Sequence, residues 1–547
     1  MSGAQLGLLA IAILLLAYFT YGSYVARGLG TDPMRPTPAH TKRDGVDYLP
    51  THSFVLMGHH FASIAGAAPI VGPITAAVFG WLPVVLWLLV GGILAGAVHD
   101  FASLMASVRH DGKSIGEVIG ENVGAQGRAL FLGFAWLALV LLIAAFVHIV
   151  ASTFAAMPQV ATATILFLAL AVGFGLIVRA TQCGAYACTV LAAVLAMLAV
   201  FVGQHAAVAI DPTWWKPLLL LYALAASLAP LWLLLQPRDY LNSFLLHALL
   251  AGALVGILVA NPTLALPAYA GLYAAPIGHL FPMLFVTVAC GAISGFHSLI
   301  ASGTTAKLLK TEAHAKRIGY GAMLFETLLA ITAVIAVASL SQGRYVELVG
   351  TSGPLVIYAE GMAGFLGRLG LPEETGVTFF GLAVSVFALT MLDTASRLGR
   401  YMLQEISSGK GPRGARWVGN RHIATVLTLS VSGLLLLGGH FAFIWPVFGA
   451  ANQLLAALAL LAVSVWLSRQ GRDSRFTLYP MLFMLAVTLT ALALMFWQGL
   501  AGGSWQLSLF CALLALLALV LLGMAGRALA RSGRPAPQPA GSQPRDV

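Results

Sequence analysis

Apolar residues run along this chain in long blocks, and polar residues are largely confined to the short connections between them. A helix crosses a bilayer with roughly 20 apolar residues, and fifteen blocks approach or exceed that length. They lie at 4–25, 53–79, 81–107, 129–150, 160–178, 184–203, 217–235, 241–261, 280–303, 318–341, 376–396, 422–440, 443–468, 478–498 and 505–526. Helices satisfy their own backbone groups in lipid, and the alternation of barrel strands is absent. The pattern therefore predicts an all-α polytopic membrane protein with about 15 transmembrane helices.

Composition and charge support this class. Hydrophobic residues make up 59% of the 547 positions and charged residues only 9%, against about a quarter in soluble domains. With the N-terminus outside and the C-terminus inside, every Lys and Arg except Lys216, Arg344 and Arg368 falls in a predicted inner segment. The net charge of +10 then reflects the positive-inside rule, and no nucleic-acid partner is expected.

The second block contains two adjacent histidines followed by two prolines. His59 and His60 stand near its inner end in "MGHHFASIAGAAPIVGP". Pro69 and Pro73 remove backbone donors, so they predict a break in the helix that frees the backbone at 67–72. Freed backbone at a break can bind ions or small polar ligands. The histidines are candidates for substrate contact or an inner gate, and an interfacial placement is the open alternative.

The third block carries a glycine stripe that ends at a carboxylate. Gly92, Gly96 and Asp100 share one helical face in "GGILAGAVHDFASLM", so close packing there brings a neighbouring backbone near Asp100. Ionisable residues inside a membrane are costly and usually functional. Asp100 is therefore a candidate proton carrier and His99 a candidate gate residue, while a carboxylate at the inner interface remains the alternative.

The ninth block carries a stripe of hydroxyl side chains. Ser294, Ser298 and Ser302 repeat every four residues, and His297 stands beside Ser294. Gly303 in "SGTT" favours unwinding, which suits an alkali ion or a carboxylate. Hydroxyl stripes also pack helices together, and that alternative stays open.

Three further blocks contain isolated polar groups. Glu326 lies in the middle of an apolar block, and Asn452 follows a proline that permits a kink. Asp393 and Arg397 are spaced as a helical i, i+4 ion pair. Arg397 is positioned to bind an anion in bidentate fashion, with a structural ion pair as the alternative.

These residues form the predicted site. Candidate substrate-binding residues are His59, His60, Ser63, Ala67, Gly72, Ser294, His297, Ser298, Ser302, Thr304 and Asn452; candidates for proton coupling are Asp100, Glu326 and Asp393; candidates for a gate or ion pair are His99, Asp393 and Arg397. No nucleophile elbow, zinc motif, P-loop or Cys/His cluster is found, so we expect no catalytic residue, no metal and no cofactor, and the protein is not expected to be an enzyme.

Six long motifs resemble the carbon starvation protein A family in the correct order. They are "GHHFASIAGAAPIVGPITAAVFGWLP" (58–83), "LWLLVGGILAGAVHDF" (86–101), "RHDGKSIGEVIGENVG" (109–124), "CGAISGFHSLIASGTTAKLL" (290–309), "LTMLDTASRLGRYMLQE" (389–405) and "WPVFGAANQLLAAL" (445–458). The resemblance implies a multi-pass inner-membrane secondary transporter that takes up pyruvate with protons, or peptides, under carbon starvation. It also implies a LeuT-like core of two inverted five-helix repeats, as in the amino acid–polyamine–organocation transporters.

On this resemblance the chain divides into six parts. They are a first helix and inner loop (1–52), a first repeat (53–210), two accessory helices with a linker (211–279), a second repeat (280–470), two accessory helices (471–530) and a disordered inner tail (531–547). The expected partners are a small carboxylate, a coupling proton with sodium as the alternative ion, and the lipid bilayer. A channel and an integral membrane enzyme remain as other classes.

Overall fold

The computed structural model describes residues 1–44, 47–181, 185–230, 233–275, 277–408, 419–437 and 441–532. The regular elements in the first part of the chain are all helices. Its helices are α1 (Gly3–Phe19), α2 (Tyr21–Leu29), α3 (Pro38–Thr41), α4 (Ser53–Ile64), α5 (Ala68–Ala76), α6 (Trp81–Gly91), α7 (Ala97–Arg109), α8 (Ile115–Val123), α9 (Ala125–Ala156), α10 (Pro158–Thr181), α11 (Ala185–His205) and α12 (Pro212–Leu228).

The second part adds twelve helices and one small hairpin. They are α13 (Leu235–Ala260), β1 (Tyr273–Ala274), β2 (Gly278–His279), α14 (Leu280–Thr287), α15 (Gly295–Ile300), α16 (Ala306–Leu308), α17 (Gly321–Ala338), α18 (Gln342–Thr351), α19 (Pro354–Gly367), α20 (Glu373–Ser408), α21 (Arg421–Leu437), α22 (Phe441–Arg469), α23 (Arg475–Ala501) and α24 (Trp505–Ser532). The antiparallel hairpin pairs Tyr273 with His279.

Within the described residues, ten helices are long and apolar enough to span a membrane, or eleven if the bent pair α4–α5 counts as one span. Each of the fifteen predicted blocks contains a helix or a broken helix pair. Helices α12 and α21 have 17 residues each, just short of a full span. The count of fifteen therefore stays a prediction, as does the division into repeats.

The second block breaks earlier than its prolines predict. Helix α4 ends at Ile64 and α5 begins at Ala68, with a bend of 48° between them. Pro69 lies in the first turn of α5 and Pro73 lies inside it. Proline is tolerated in a first turn because those backbone donors have no helical acceptor. Pro69 thus begins the second half-helix, and the break predicted to free the backbone at 67–72 lies instead at 65–67.

The ninth block breaks in a place that no proline marks. Helix α14 ends at Thr287, and α15 begins at Gly295. The predicted unwinding at "SGTT" does not occur, because Ala301–Thr305 forms a π-helical turn that continues α15. The backbone of Gly72 in α5 lies against this break, and a Cβ there would come within 2.6 Å of the Thr287 carbonyl oxygen. The two interruptions therefore lie side by side.

The broken helices are enclosed by long, buried helices. Helices α17 and α22 are almost wholly buried; α17 packs on α5, and α22 packs on α15. Helices α18 and α19 occupy the 345–375 region, where the sequence predicts no ordinary span, and α19 packs on α20 and α13. Helix α24 continues to Ser532, so the predicted tail at 531–547 begins inside a helix, and its remainder lies outside the described residues.

A buried ion pair joins α7 to the segment after α16. The Arg109 guanidinium donates to both carboxylate oxygens of Glu312, with N–O distances of 2.8 and 2.7 Å. Arg109 also donates to the Gly30 carbonyl at 2.8 Å, and the Asp32 amide donates to Glu312 at 2.9 Å. Since bidentate arginine pairs are strong and directional, this contact fixes the end of α7 against the segment that follows α16.

Candidate functional site

One part of the candidate site is the N-terminus of α15, which Asn452 of α22 contacts. The Asn452 side-chain oxygen accepts a hydrogen bond from the Phe296 amide at 3.0 Å, and its nitrogen donates to Ser294 Oγ at 3.0 Å. A Cβ on Gly295 would collide with the backbone of α22. An amide from α22 thus satisfies the first turn of α15, which would otherwise leave donors without acceptors, and it fixes the position of His297.

A second helix brings a carboxylate to the same place. A π-helical turn at Gly92–Gly96 leads into α7, which carries His99 and Asp100 in its first turn. A Cβ on Gly96 would collide with the Ala292 carbonyl in the break. The glycine stripe therefore allows the backbones to touch, and π-helical turns of this kind are frequent at functional sites.

His99, Asp100, His297 and Glu326 meet in what we call the histidine–carboxylate cluster. His297 Nδ1 lies 2.8 Å from Asp100 Oδ2, and His99 Nδ1 lies 2.9 Å from Asp100 Oδ1. His297 Nε2 lies 3.3 Å from Glu326 Oε2. All four side chains are fully buried. Helices α7, α15 and α17, far apart in sequence, each supply part of the cluster.

Several polar atoms around the cluster have no hydrogen-bond partner within the described part of the chain. They are both carboxylate oxygens of Glu326, Nε2 of His60, His99 and His297, and Oγ of Ser103; the 3.3 Å approach of His297 to Glu326 is an ion-pair contact without hydrogen-bond geometry. Burying a polar group without a partner costs free energy, so such groups mark sites where a proton or a ligand completes the hydrogen bonding. His60 Nδ1 does have a partner, Thr305 Oγ1, at 2.8 Å.

Asp393 belongs to a separate group of buried charges, and its predicted ion pair with Arg397 is wrong. Asp393 instead pairs with Arg238, and the Tyr222 hydroxyl donates to its Oδ2 at 2.7 Å. Arg238 is itself fully buried and also pairs with Asp239 at 2.9 Å. We call Tyr222, Arg238, Asp239 and Asp393 the arginine network.

Arg397 has different partners because a helix ends beside it. Its guanidinium donates to the carbonyl oxygens of Ala226 and Ala229 at 2.8 and 2.9 Å, and Arg400 donates to that of Ser227 at 2.8 Å. The last carbonyls of a helix lack intrahelical donors and carry partial negative charge. Both arginines therefore bind the C-terminus of α12. Arg397 donates to backbone carbonyls there and does not bind a carboxylate.

The remaining predicted residues lie around the two breaks, with one correction. Ser63 donates to the His59 carbonyl at 2.8 Å, Ser298 to that of Gly295 at 2.7 Å, and Ser302 to that of Ser298 at 2.6 Å. His59 is half-buried, Ala67 precedes α5 and Gly72 lies within it. Thr304 is exposed, because the π-helical turn directs Thr305 inward to His60 in its place.

Sequence reasoning missed Arg238, Tyr222 and the Arg109–Glu312 pair as buried groups. Arg238 reads as an inner-loop residue between two apolar blocks, although the adjacent Asp239 is a signal for local charge pairing. Nothing in the sequence around Tyr222 marks it, because a tyrosine in an apolar helix is ordinary. Among the residues that the structure describes, no group of three or more His, Cys, Asp or Glu side chains is arranged to hold a metal ion.

Interrupted helices around a buried ionisable centre define a multi-pass membrane protein whose polar chemistry lies inside the bundle. Its family follows from comparison with known proteins. The chain matches the family described as "Carbon starvation protein CstA" over residues 2–352 and 347–491. It belongs to that family. The protein is therefore a multi-pass membrane protein. Its named relatives are bacterial transporters, and this is consistent with a location in the inner membrane.

Similar proteins carry two kinds of name. "Peptide transporter CstA" of Escherichia coli is 36% identical over 88% of this chain and 79% of its own length. "Pyruvate/proton symporter BtsT" of the same organism is 34% identical over 89% of this chain and 80% of its own length. "Peptide transporter CstA" of Bacillus subtilis is 34% identical over 84% of each chain.

The solved structures that partly resemble this chain are distant from it in sequence. A manganese transporter from Eremococcus coleocola is 14% identical over 89% of this chain and 98% of that chain, with a TM-score of 0.47. MhsT in complex with L-phenylalanine is 13% identical over 87% of this chain and 99% of that chain, also with a TM-score of 0.47.

Proposed function

We propose that this protein is a secondary active transporter that imports a small carboxylate, with pyruvate as the first candidate, in symport with protons. The observation that carries the proposal is the histidine–carboxylate cluster, which lies beside the break between α14 and α15. Two carboxylates share one buried imidazole there, at 2.8 and 3.3 Å. Proton relays in membrane proteins are built from Asp, Glu and His facing the bundle interior.

Charge counting shows how the cluster would couple to protons. With Asp100 and Glu326 ionised and His297 protonated, the cluster carries one net negative charge. One further proton makes it neutral, and Glu326 has unpartnered oxygens to receive it. A net charge in a low-dielectric interior is costly. Binding this proton would therefore lower the free energy of a conformation in which the cluster is shielded from water.

The substrate would bind at the breaks beside the cluster. His60 and His99 each have an unpartnered ring nitrogen, and imidazole N–H groups can donate to a carboxylate. We assign the coupling role to Asp100 and Glu326. Asp393 is excluded from this assignment because Arg238 and Tyr222 already bind it.

Peptide import is the second candidate, and the relatives named peptide transporters favour it. Both candidates present a carboxylate to the site, and both are compatible with proton coupling. They differ in total charge, which makes them distinguishable by their response to membrane potential.

The experiment is uptake of radiolabelled pyruvate by purified protein in proteoliposomes, with and without an inward proton gradient. A difference of one pH unit supports about ten-fold accumulation for each coupled proton. We expect the wild type to accumulate pyruvate under the gradient. Glu326→Gln keeps the shape but cannot carry the proton, so it should lose accumulation while retaining exchange of internal for external pyruvate.

The matched control is Glu347→Gln, which removes an exposed carboxylate paired with Arg344 at 2.9 Å. It should accumulate pyruvate like the wild type. Equal wild-type uptake with and without the gradient would remove proton coupling, and accumulation that requires an inward sodium gradient would replace the proton with sodium. Uptake that never exceeds equilibrium would indicate a channel.

A further inference from the structure

A basic groove lies far from the breaks, where α9 begins and where α22 and α24 end. Its walls include Arg469 and Arg527, Gln126, and the apolar side chains Leu130, Val520 and Met524; the cavity has a volume of about 690 Å³. No Asp or Glu among the described residues lines it. We call this cavity the basic groove. Neither the transport cycle nor the packing of the core accounts for it.

The two arginines come from different helices and keep donors available. Arg469 makes one long contact, 3.4 Å to the Glu121 carbonyl, and Arg527 donates from Nε to the Gly523 carbonyl at 3.1 Å. Within the described part of the chain, neither guanidinium has a carboxylate within 4.0 Å. Arginine binds phosphate through its planar fork of donors.

The carboxylate of Glu121, whose backbone carbonyl contacts Arg469, already has a partner of its own. The Glu121 carboxylate binds Lys113 at 2.5 Å, and this hydrogen bond raises the pKa of Lys113 above its ordinary value. The Lys113–Glu121 ion pair is thus complete without the arginines. Within the described part of the chain, the two arginines have no acidic partner.

The rest of the groove is apolar and opens outward. Val520 is 41% exposed, and Met524 and Leu130 are partly exposed. Both arginines stand at helix ends that the predicted topology assigns to the inner face of the membrane. A guanidinium pair at the headgroup level above an apolar furrow is complementary to a phosphate ester with an acyl chain, and basic pockets at this depth bind anionic lipid headgroups.

We propose that the basic groove binds one anionic phospholipid of the inner leaflet, with its phosphate between Arg469 and Arg527 and its acyl chain along Val520, Met524 and Leu130. This assignment does not depend on the transported substrate. The lipid would tie α24, which lies at the edge of the bundle, to α9 and α22.

The test is retention of phosphatidylglycerol by the purified full-length protein, measured by native mass spectrometry after transfer from mixed micelles. Phosphatidylcholine serves as the lipid without net charge, and glycerol phosphate as the free headgroup. We expect one tightly retained phosphatidylglycerol, little phosphatidylcholine and no displacement by glycerol phosphate. The Arg469→Gln/Arg527→Gln variant should bind phosphatidylglycerol roughly ten-fold more weakly or worse.

Two further variants separate charge from folding. Arg35→Gln/Arg421→Gln removes two exposed arginines from other inner segments and should retain the lipid like the wild type. Arg469→Lys/Arg527→Lys keeps both charges and should retain most of the binding. Thermal unfolding of every variant should match the wild type in lipid-free detergent, because both groove arginines are exposed.

Four outcomes would overturn the proposal. The first is equal retention of both lipids, and the second is unchanged retention in the Gln double variant. The third is displacement by glycerol phosphate, which would indicate a site for a soluble anion. The fourth is a wild type that binds no lipid while a variant lacking residues 533–547 does, which would make the chain's own tail the occupant.

Discussion

At the residue scale, the buried carboxylates of this protein fall into two groups that differ in their partners. In the arginine network, Asp393 binds a guanidinium and a phenol through Oδ2, and only its Oδ1 has no partner within the described residues. In the histidine–carboxylate cluster, Glu326 has an imidazole at 3.3 Å and no hydrogen bond within the described residues. A carboxylate bound by a guanidinium and a hydroxyl is held in place, whereas one without a hydrogen bond responds to protons and ligands. The first group therefore suits structure and the second suits coupling.

The sequence identifies which residues are costly in a membrane but not which residues they meet. His297, Asp100 and Glu326 stand out because an ionisable group in an apolar block needs an explanation. Their contacts join positions 197 residues apart, which no local periodicity reports. The i, i+4 spacing predicts that Asp393 pairs with Arg397, and this prediction is wrong. In the folded chain Asp393 pairs with Arg238, and Arg397 donates to carbonyl oxygens at the end of α12.

The first residue-scale prediction concerns Arg238. Arg238→Met leaves Asp393 buried beside Tyr222 without its cation, and breaking a buried ion pair in this way costs about 3–5 kcal/mol. The double variant Arg238→Met/Asp393→Leu removes both charges and should recover much of that loss. Thermal unfolding in detergent, followed by intrinsic tryptophan fluorescence, measures the three midpoints.

The matched surface control is Arg344→Met. Its partner Glu347 is exposed, and an exposed pair contributes about 0–1 kcal/mol. We expect its unfolding midpoint to stay near that of the wild type. A single variant Arg238→Met as stable as the double variant would show that Asp393 is solvated or otherwise paired, against the arrangement described above.

At the scale of elements, apolar blocks predict helices well because lipid leaves the backbone no other partner. Breaks are harder to locate. Pro69 indicates the first break to within a few residues, since proline begins a half-helix more easily than it interrupts one. The interval between Thr287 and Gly295 has no proline, and the break there depends on contacts with Asn452 that appear only in the folded chain. The apolar pattern does not predict α18 and α19 as spans, because these helices have only 10 and 14 residues.

An element-scale prediction follows from the contact between α7 and the second break. Gly96→Ala places a methyl group against the Ala292 carbonyl, and overpacking of this kind costs about 1–3 kcal/mol. The displaced helix carries Asp100 four residues further on, so its contact with His297 should lengthen. We expect lower thermal stability together with a loss of gradient-driven uptake, measured on the same preparation.

Gly133→Ala is the control for Gly96→Ala. Gly133 lies in α9, and a Cβ added there would have no atom within 4 Å. Alanine in a helix is favoured over glycine by roughly 0.5–1 kcal/mol. This variant should be at least as stable as the wild type and transport normally. If Gly96→Ala behaved in the same way, the close packing of α7 on the break would not matter for coupling.

At the scale of the whole molecule, two interruptions share one centre, and long buried helices enclose them. The Arg109–Glu312 pair joins the end of α7 to the segment that follows α16, and both regions carry residues of the candidate site. This arrangement allows a small change of charge at the cluster to act on two half-helices at once. Sequence reasoning reaches the membrane class and the neighbourhood of the site through composition and motifs, but the enclosure arises from packing among helices separated by hundreds of residues.

Membrane potential separates the two candidate substrates. A pyruvate anion moving with one proton is neutral, so a potential alone should not drive its accumulation. A zwitterionic dipeptide moving with one proton carries one positive charge, and 100 mV is worth about 2.3 kcal/mol, or about fifty-fold accumulation. The measurement is uptake of each labelled compound into proteoliposomes at equal pH, with a potassium diffusion potential set by valinomycin and a control without the potassium gradient. We expect no accumulation of pyruvate under potential alone. Voltage-driven accumulation of pyruvate would contradict single-proton coupling and require two protons for each anion, although Glu326 is the one carboxylate of the cluster whose oxygens have no partner within the described residues.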